Sequence, residues 1–175
     1  MSQAVGGQIA DEVLVQEARA GSGDAFVSFA TRWWPAIARV AWSMLGETSQ
    51  AIAVTEEAIG IALASPRPAG TPLSCFMYRL TIWLAILRRR SRLSAVAPAS
   101  PILAALDGLQ HMDRAALVLR DVADCSIAEV AAILESSKAD ARERVHRARV
   151  RLAHVLGDAL DREILELELP ERRSA

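Results

Sequence analysis

The sequence predicts an all-α fold: two small helical modules joined by a Pro/Ala linker, the second containing a helix-turn-helix. Three observations carry this. Apolar residues recur at helical spacing along nearly the whole chain, and period-two alternation is scarce. Ser94–Pro101 reads SAVAPASP, a linker composition that divides the chain into about 90 and 55 residues. The 175 residues, 52% hydrophobic and 23% charged, suit one domain or two small ones and argue against disorder.

The elements follow in order. Asp11–Ala20 is apolar at Val13, Leu14 and Ala18 and stops at Gly21. Asp24 is placed to cap a segment from Ala25 to Leu45, which Gly46 closes. Pro35 inside that run predicts a kink or break near Thr31–Trp34. Thr48 or Ser49 opens a third helix through Leu63, and Ser65–Pro72, with three prolines, is a loop. A fourth helix runs from Leu73 to Arg92. Beyond the linker, Ile102–Leu109 and Arg114–Val122 are short helices. Ser126 and Glu129 form a capping box ahead of a helix ending near Leu134. Ser137 caps Lys138–Leu156, Gly157 ends it, and an amphipathic stretch Asp158–Leu169 stops at Pro170. The expected organisation is a first module at 1–92, a linker at 93–100, a helix-turn-helix module at 101–157 and an acidic tail at 158–175.

Net charge is −1, yet charge is arranged in blocks. Residues 1–57 carry −4, 58–106 carry +6 with no acid, 107–135 carry −4, 136–154 carry +4 and 155–175 carry −3. A basic run is often only a solvated helix end. Two such islands beside apolar helical pattern point instead to a polyanion partner.

The second island lies in the helix-turn-helix layout. A short capped helix, the turn Glu135–Ser137 and a longer basic helix follow one another. Ile127, Val130, Leu134, Ala141, Val145 and Ala148 are placed as the shared seam, with Ala131 small where the helices approach. Lys138, Arg142, His146 and Arg149 form one stripe, flanked by Arg144, Arg147 and Arg151. The competing reading is a solvated face, or one lying against a partner.

Other functions find little support. Two cysteines, Cys75 and Cys125, exclude a disulfide framework and a four-thiolate zinc site, and both read as buried thiols. Three scattered histidines give no metal site. No paired carboxylates, nucleophile–base set or phosphate loop is evident, so neither an enzyme nor a cofactor is expected. No signal peptide is visible, and the apolar run Leu80–Leu87 is too short to span a membrane, so a cytoplasmic protein is expected.

The stretch 105–134, followed by Arg144–Leu152 (RVHRARVRL), resembles region 4 of the extracytoplasmic-function sigma factors. Asp11–Phe26, Trp33–Gly46, and Tyr78–Leu80 with Arg88–Arg90 are similar to that family's region 2. The resemblance covers about residues 11–157. It implies a transcription initiation factor whose partners are core RNA polymerase, promoter DNA and an anti-sigma factor. Region 2 would meet the polymerase through Val54, Thr55, Glu56, Glu57 and Ile59. It would meet the −10 element through Arg67, Phe76, Tyr78, Arg79, Trp83, Arg88, Arg89, Arg90 and Arg92. For Phe76, Tyr78 and Trp83 the competing role is core packing, preferred for Phe76 and Trp83. Trp33, Trp34 and Trp42 are expected in the core or between modules. Region 4 would read the −35 element through Lys138, Arg142, Arg144, His146, Arg147 and Arg149.

Several positions depart from the family pattern. Ala53 stands where an acidic residue usually begins the polymerase-binding signature, and Trp83 and Leu87 replace Asn and Asp. Glu135 takes the place of a turn glycine, where positive φ would cost of order 1 kcal/mol. Asp140 and Glu143 place negative charge near DNA unless paired locally. Besides a working sigma factor, a sigma-like decoy for an anti-sigma factor and a free-standing helix-turn-helix regulator therefore stay open.

Overall fold

A computed structural model describes the backbone at residues 3–91 and 100–168, and side chains at 11–90 and 100–157. Arg92, most of the expected linker, and the side chains of the Asp158–Leu169 stretch lie outside the described residues. Among the described residues there are eight helices and no strand: α1 (Gln3–Arg19), α2 (Gly23–Leu45), α3 (Thr48–Ala64), α4 (Leu73–Ser91), α5 (Pro101–Asp107), α6 (His111–Asp121), α7 (Ile127–Ile133) and α8 (Lys138–Glu168).

The helix ends explain most of these boundaries. Ser22, not Asp24, caps α2: its Oγ accepts from the Ala25 amide at 3.3 Å. Asp24 sits in the first turn, where its charge suits the helix dipole. The helix runs unbroken past Pro35, so of the expected kink or break the break is absent. Thr31 and Pro35 are both exposed, so the carbonyl that proline leaves unpaired faces water, while buried Phe29, Ile37 and Val40 hold both halves in place. Gly46 closes α2 at φ 69°, donating to the Trp42 carbonyl at 2.7 Å. Two further carbonyls of that last turn take arginines from elsewhere. Arg114 donates twice to Ser43 O, at 2.9 and 2.7 Å, and Arg89 donates to Met44 O at 3.2 Å. Arg19 closes α3 similarly, through the Ala62, Leu63 and Ser65 carbonyls.

The expected break at Gly157 is absent, and α8 continues to Glu168. Glycine inside a helix costs only about 1 kcal/mol relative to alanine, and Leu156, Ala159 and Leu160 nearby are good helix formers.

The expected modules share a core. One buried cluster joins Val40 and Met44 of α2, Val54 of α3, Cys75, Ile82 and Ile86 of α4, Leu119 of α6, Val130 and Ile133 of α7, and Val145 of α8. A second cluster, confined to the first four helices, is built on Phe29, Ile37, Ile59, Phe76 and Met77. A third packs Leu103, Leu106, Leu109 and Leu117 under Ala148. Trp33 and Trp34 are half-buried against the second cluster, as expected. Trp42 is 42% exposed and joins neither the core nor the module contact, because it lies on the solvent side of α2. Both cysteines are buried free thiols.

Candidate nucleic-acid interface

The helix-turn-helix is built by reciprocal capping. Ser126 Oγ accepts from the Glu129 amide at 3.2 Å, and the Ser126 amide donates to Glu129 Oε2 at 2.7 Å. The turn reverses through Glu135 at φ 53°, and the Ser136 amide closes on Ala131 O at 2.9 Å. Ser137 Oγ then accepts from the Asp140 amide at 3.0 Å and donates to Asp140 Oδ2 at 2.8 Å. Asp140 is thereby engaged at the helix start, where its charge suits the dipole. Val130, Ala131, Leu134, Ala141 and Val145 are buried in the seam. That leaves Lys138, Arg142, His146 and Arg149 together on the exposed face of α8.

Only part of that face is free cation. Arg149 holds both oxygens of Asp121, at 3.0 and 2.5 Å. Arg147 holds Asp113 at 3.1 and 2.8 Å and Glu143 at 2.7 Å, and Arg144 lies 3.6 Å from Asp113. Hydrogen bonding to Asp113 raises the Arg147 pKa, and that to Asp121 raises the Arg149 pKa. Among the described residues no carboxylate pairs with Lys138, Arg142 or His146.

The first island is corrected more strongly. Residues 58–106 contain no acid in sequence, yet the fold brings acids to them from neighbouring elements. Arg67 pairs with Glu12 at 2.5 Å and Arg88 with Glu57 at 2.7 Å. Arg79 pairs with Glu135, and Arg89 with Asp107, each at 2.8 Å. Arg90 is exposed and has no ion pair among the described residues. Phe76, 9% exposed, belongs to the core and is not placed to stack on bases. Tyr78 is half-buried and meets Trp33 edge-on at 6.4 Å. Trp83 is 38% exposed, contrary to the preferred core role. It lines a cleft of about 480 Å³ between the modules, with Ile86, Arg90, His111, Met112 and Arg144. Burial, together with Arg89, Arg90 and Arg114, lowers the His111 pKa, which marks this junction as electropositive.

On α3 the expected polymerase contacts divide. Val54, Thr55 and Ile59 are buried, and Thr55 Oγ1 donates to Ala51 O at 2.7 Å, so these three build the core and do not form a contact surface. Ile52, Glu56 and Glu57 face outward, with Glu57 tied to Arg88. Besides Glu12 and Glu57, the partners that sequence reasoning missed are Asp107, Asp113, Asp121 and Glu135. For these last four the signal was present: they lie in the acidic block between the two basic islands.

In fold the chain is of one class with CnrH, seen in complex with the cytosolic domain of CnrY. The TM-score is 0.70 and the identity 24%, over 85% of this chain and 98% of that one. It is also similar to the sigma factor RpoE of Bartonella quintana in complex with the anti-sigma factor NepR. There the TM-score is 0.61 and the identity 19%, over 74% of this chain and 97% of that one. No curated protein matches the chain in sequence. Residues 100–152 match the family model for sigma-70, region 4. Among the described residues no helix is long and apolar enough to cross a membrane.

Proposed function

We propose that this chain is an alternative sigma factor of the extracytoplasmic-function type, binding core RNA polymerase and directing promoter-specific transcription initiation. One observation carries the reading: the segment matching sigma-70 region 4 coincides with a doubly capped helix-turn-helix that exposes Lys138, Arg142 and His146. Residues 1–92 act as the region 2 module and 101–157 as the −35 module, with 93–100 between them. The exposed residues Arg90, Trp83, Glu56 and Glu57 are the surface candidates of the first module. Phosphate contacts from the two arginine-rich helices supply the sequence-independent part of DNA affinity. Partnership with an anti-sigma factor is supported by the RpoE neighbour, which is held by NepR.

The test is reconstitution with bacterial core polymerase, read as co-purification and run-off transcription on genomic fragments. Polymerase binding with discrete transcripts is expected. Absence of polymerase binding would sink the sigma reading and favour a decoy. Tight, dimeric binding to duplex DNA without polymerase would favour a free-standing regulator.

A further inference from the structure

The strained turn residue of the helix-turn-helix is also the residue that reaches the other module. Glu135 sits at φ 53°, a conformation that suits glycine and that side chains seldom adopt. Its carboxylate accepts from Arg79 Nη1 of α4 at 2.8 Å. The same guanidinium donates through Nη2 to Ala132 O, in the last turn of α7, at 2.6 Å. One arginine of the first module thus holds both the side chain and the backbone of the turn. Glycine at position 135 would relax the backbone but leave Arg79 without its carboxylate.

We propose that Arg79 and Glu135 form a latch holding the two modules closed, so that the two nucleic-acid faces cannot reach their elements together until it opens. The inference rests on the sigma reading above and concerns the regulation of the same surfaces. Arg79 spends two of its five N–H donors within the chain and its side chain is only 27% exposed, so the shut latch restricts its reach to a DNA phosphate. Distance gives the second reason. The −10 and −35 elements are roughly 25 base pairs apart, or about 85 Å at about 3.4 Å per pair. A compact chain of 175 residues has a radius of gyration of only about 16 Å. Modules that share one core cannot reach both elements, and engagement of a promoter requires them to part. Besides the shared apolar core, polar contacts cross the joint: the Arg79 latch, Arg89 on Asp107, and Arg114 on Ser43 O. Arg114 is fully buried, whereas Glu135 is exposed, so the latch is the contact an external polyanion or partner meets first.

The buried thiols report the closed state. Cys75 on α4 and Cys125 before α7 belong to the shared core, each 5% exposed. The experiment measures the rate at which an aromatic disulfide reagent labels the native full chain, alongside its thermal midpoint and its affinity for a short mixed-sequence duplex. Glu135→Gln and Arg79→Ala are expected to raise the labelling rate about fivefold, the scale of one exposed ion pair. Glu135→Gln is expected to bind the duplex more tightly. Glu135→Gly should label as fast while keeping its midpoint at or above the native value, since glycine accepts the turn conformation. The pair Arg79→Glu with Glu135→Arg should move the rate back toward native. Native labelling rates in both Glu135 variants would overturn the latch. So would fast labelling of Glu135→Gly with a depressed midpoint, which indicates general loosening. Polymerase binding is read separately, so failure of the sigma reading is distinguishable from failure of the latch.

Discussion

Arg114→Ala tests the joint between the modules most directly. The side chain is wholly buried, and the Ser43 carbonyl that accepts its Nε and Nη2 lies in the last turn of α2 on a residue only 7% exposed. Truncation leaves that carbonyl without its charged donors, which costs about 1.5–3 kcal/mol. Removing one partner from a fully buried ion pair costs about 3–5 kcal/mol. Asp107, the other partner, is 40% exposed and keeps Arg89, so the lower end applies. The expected loss is about 3 kcal/mol. For a chain of this length it lowers the thermal midpoint by about 6–12 °C. Arg114→Lys offers one donor group in place of the planar fork and should recover less than half of the loss. Thermal and urea unfolding followed by circular dichroism would measure both variants. A loss below about 1 kcal/mol for Arg114→Ala would refute the reasoning, because it would mean that water or a local shift satisfies Ser43 as well as the guanidinium does.

Other expectations follow from single contacts. Ser126→Ala removes one half of the capping box and should cost about 1 kcal/mol in the same unfolding assay. Arg142→Ala should weaken duplex binding and lower the slope of log affinity against log salt by about one, measured by fluorescence anisotropy; Arg149, already held by Asp121, should give a smaller change. Burial would raise the pKa of Asp107, but hydrogen bonds from Arg89 and Arg114 outweigh it and hold the carboxyl below its ordinary 3.8. Its stabilising contribution is therefore complete at neutral pH and is lost as pH falls below about 3.8. Asp107→Asn should lose less stability than the native chain between neutral and strongly acid pH, and a parallel loss in acid titrations would count against the assignment.

Local features of the fold were readable in residue order. Helical spacing, the Ser126–Glu129 capping box and the proline-rich loop at 65–72 act over a few residues, and the helices formed accordingly. The breaks expected at Pro35 and Gly157 are absent because a local preference of a few kcal/mol or less met a longer run of favourable contacts or propensities. Glu135 shows both sides: its positive φ followed from its place in the turn, while its partner Arg79, 56 residues away, did not.

The sequence by itself determined the helices, the helix-turn-helix and the match of residues 100–152 to sigma-70 region 4, because periodicity, capping and turn chemistry are short-range. Tertiary structure decided which of the arginines are free. Ion pairs form between side chains that packing brings within about 4 Å, and the acids that meet the basic islands come mostly from other helices. A net charge of −1 thus describes two basic faces partly neutralised within the chain, with Arg142, Lys138 and Arg90 left outward.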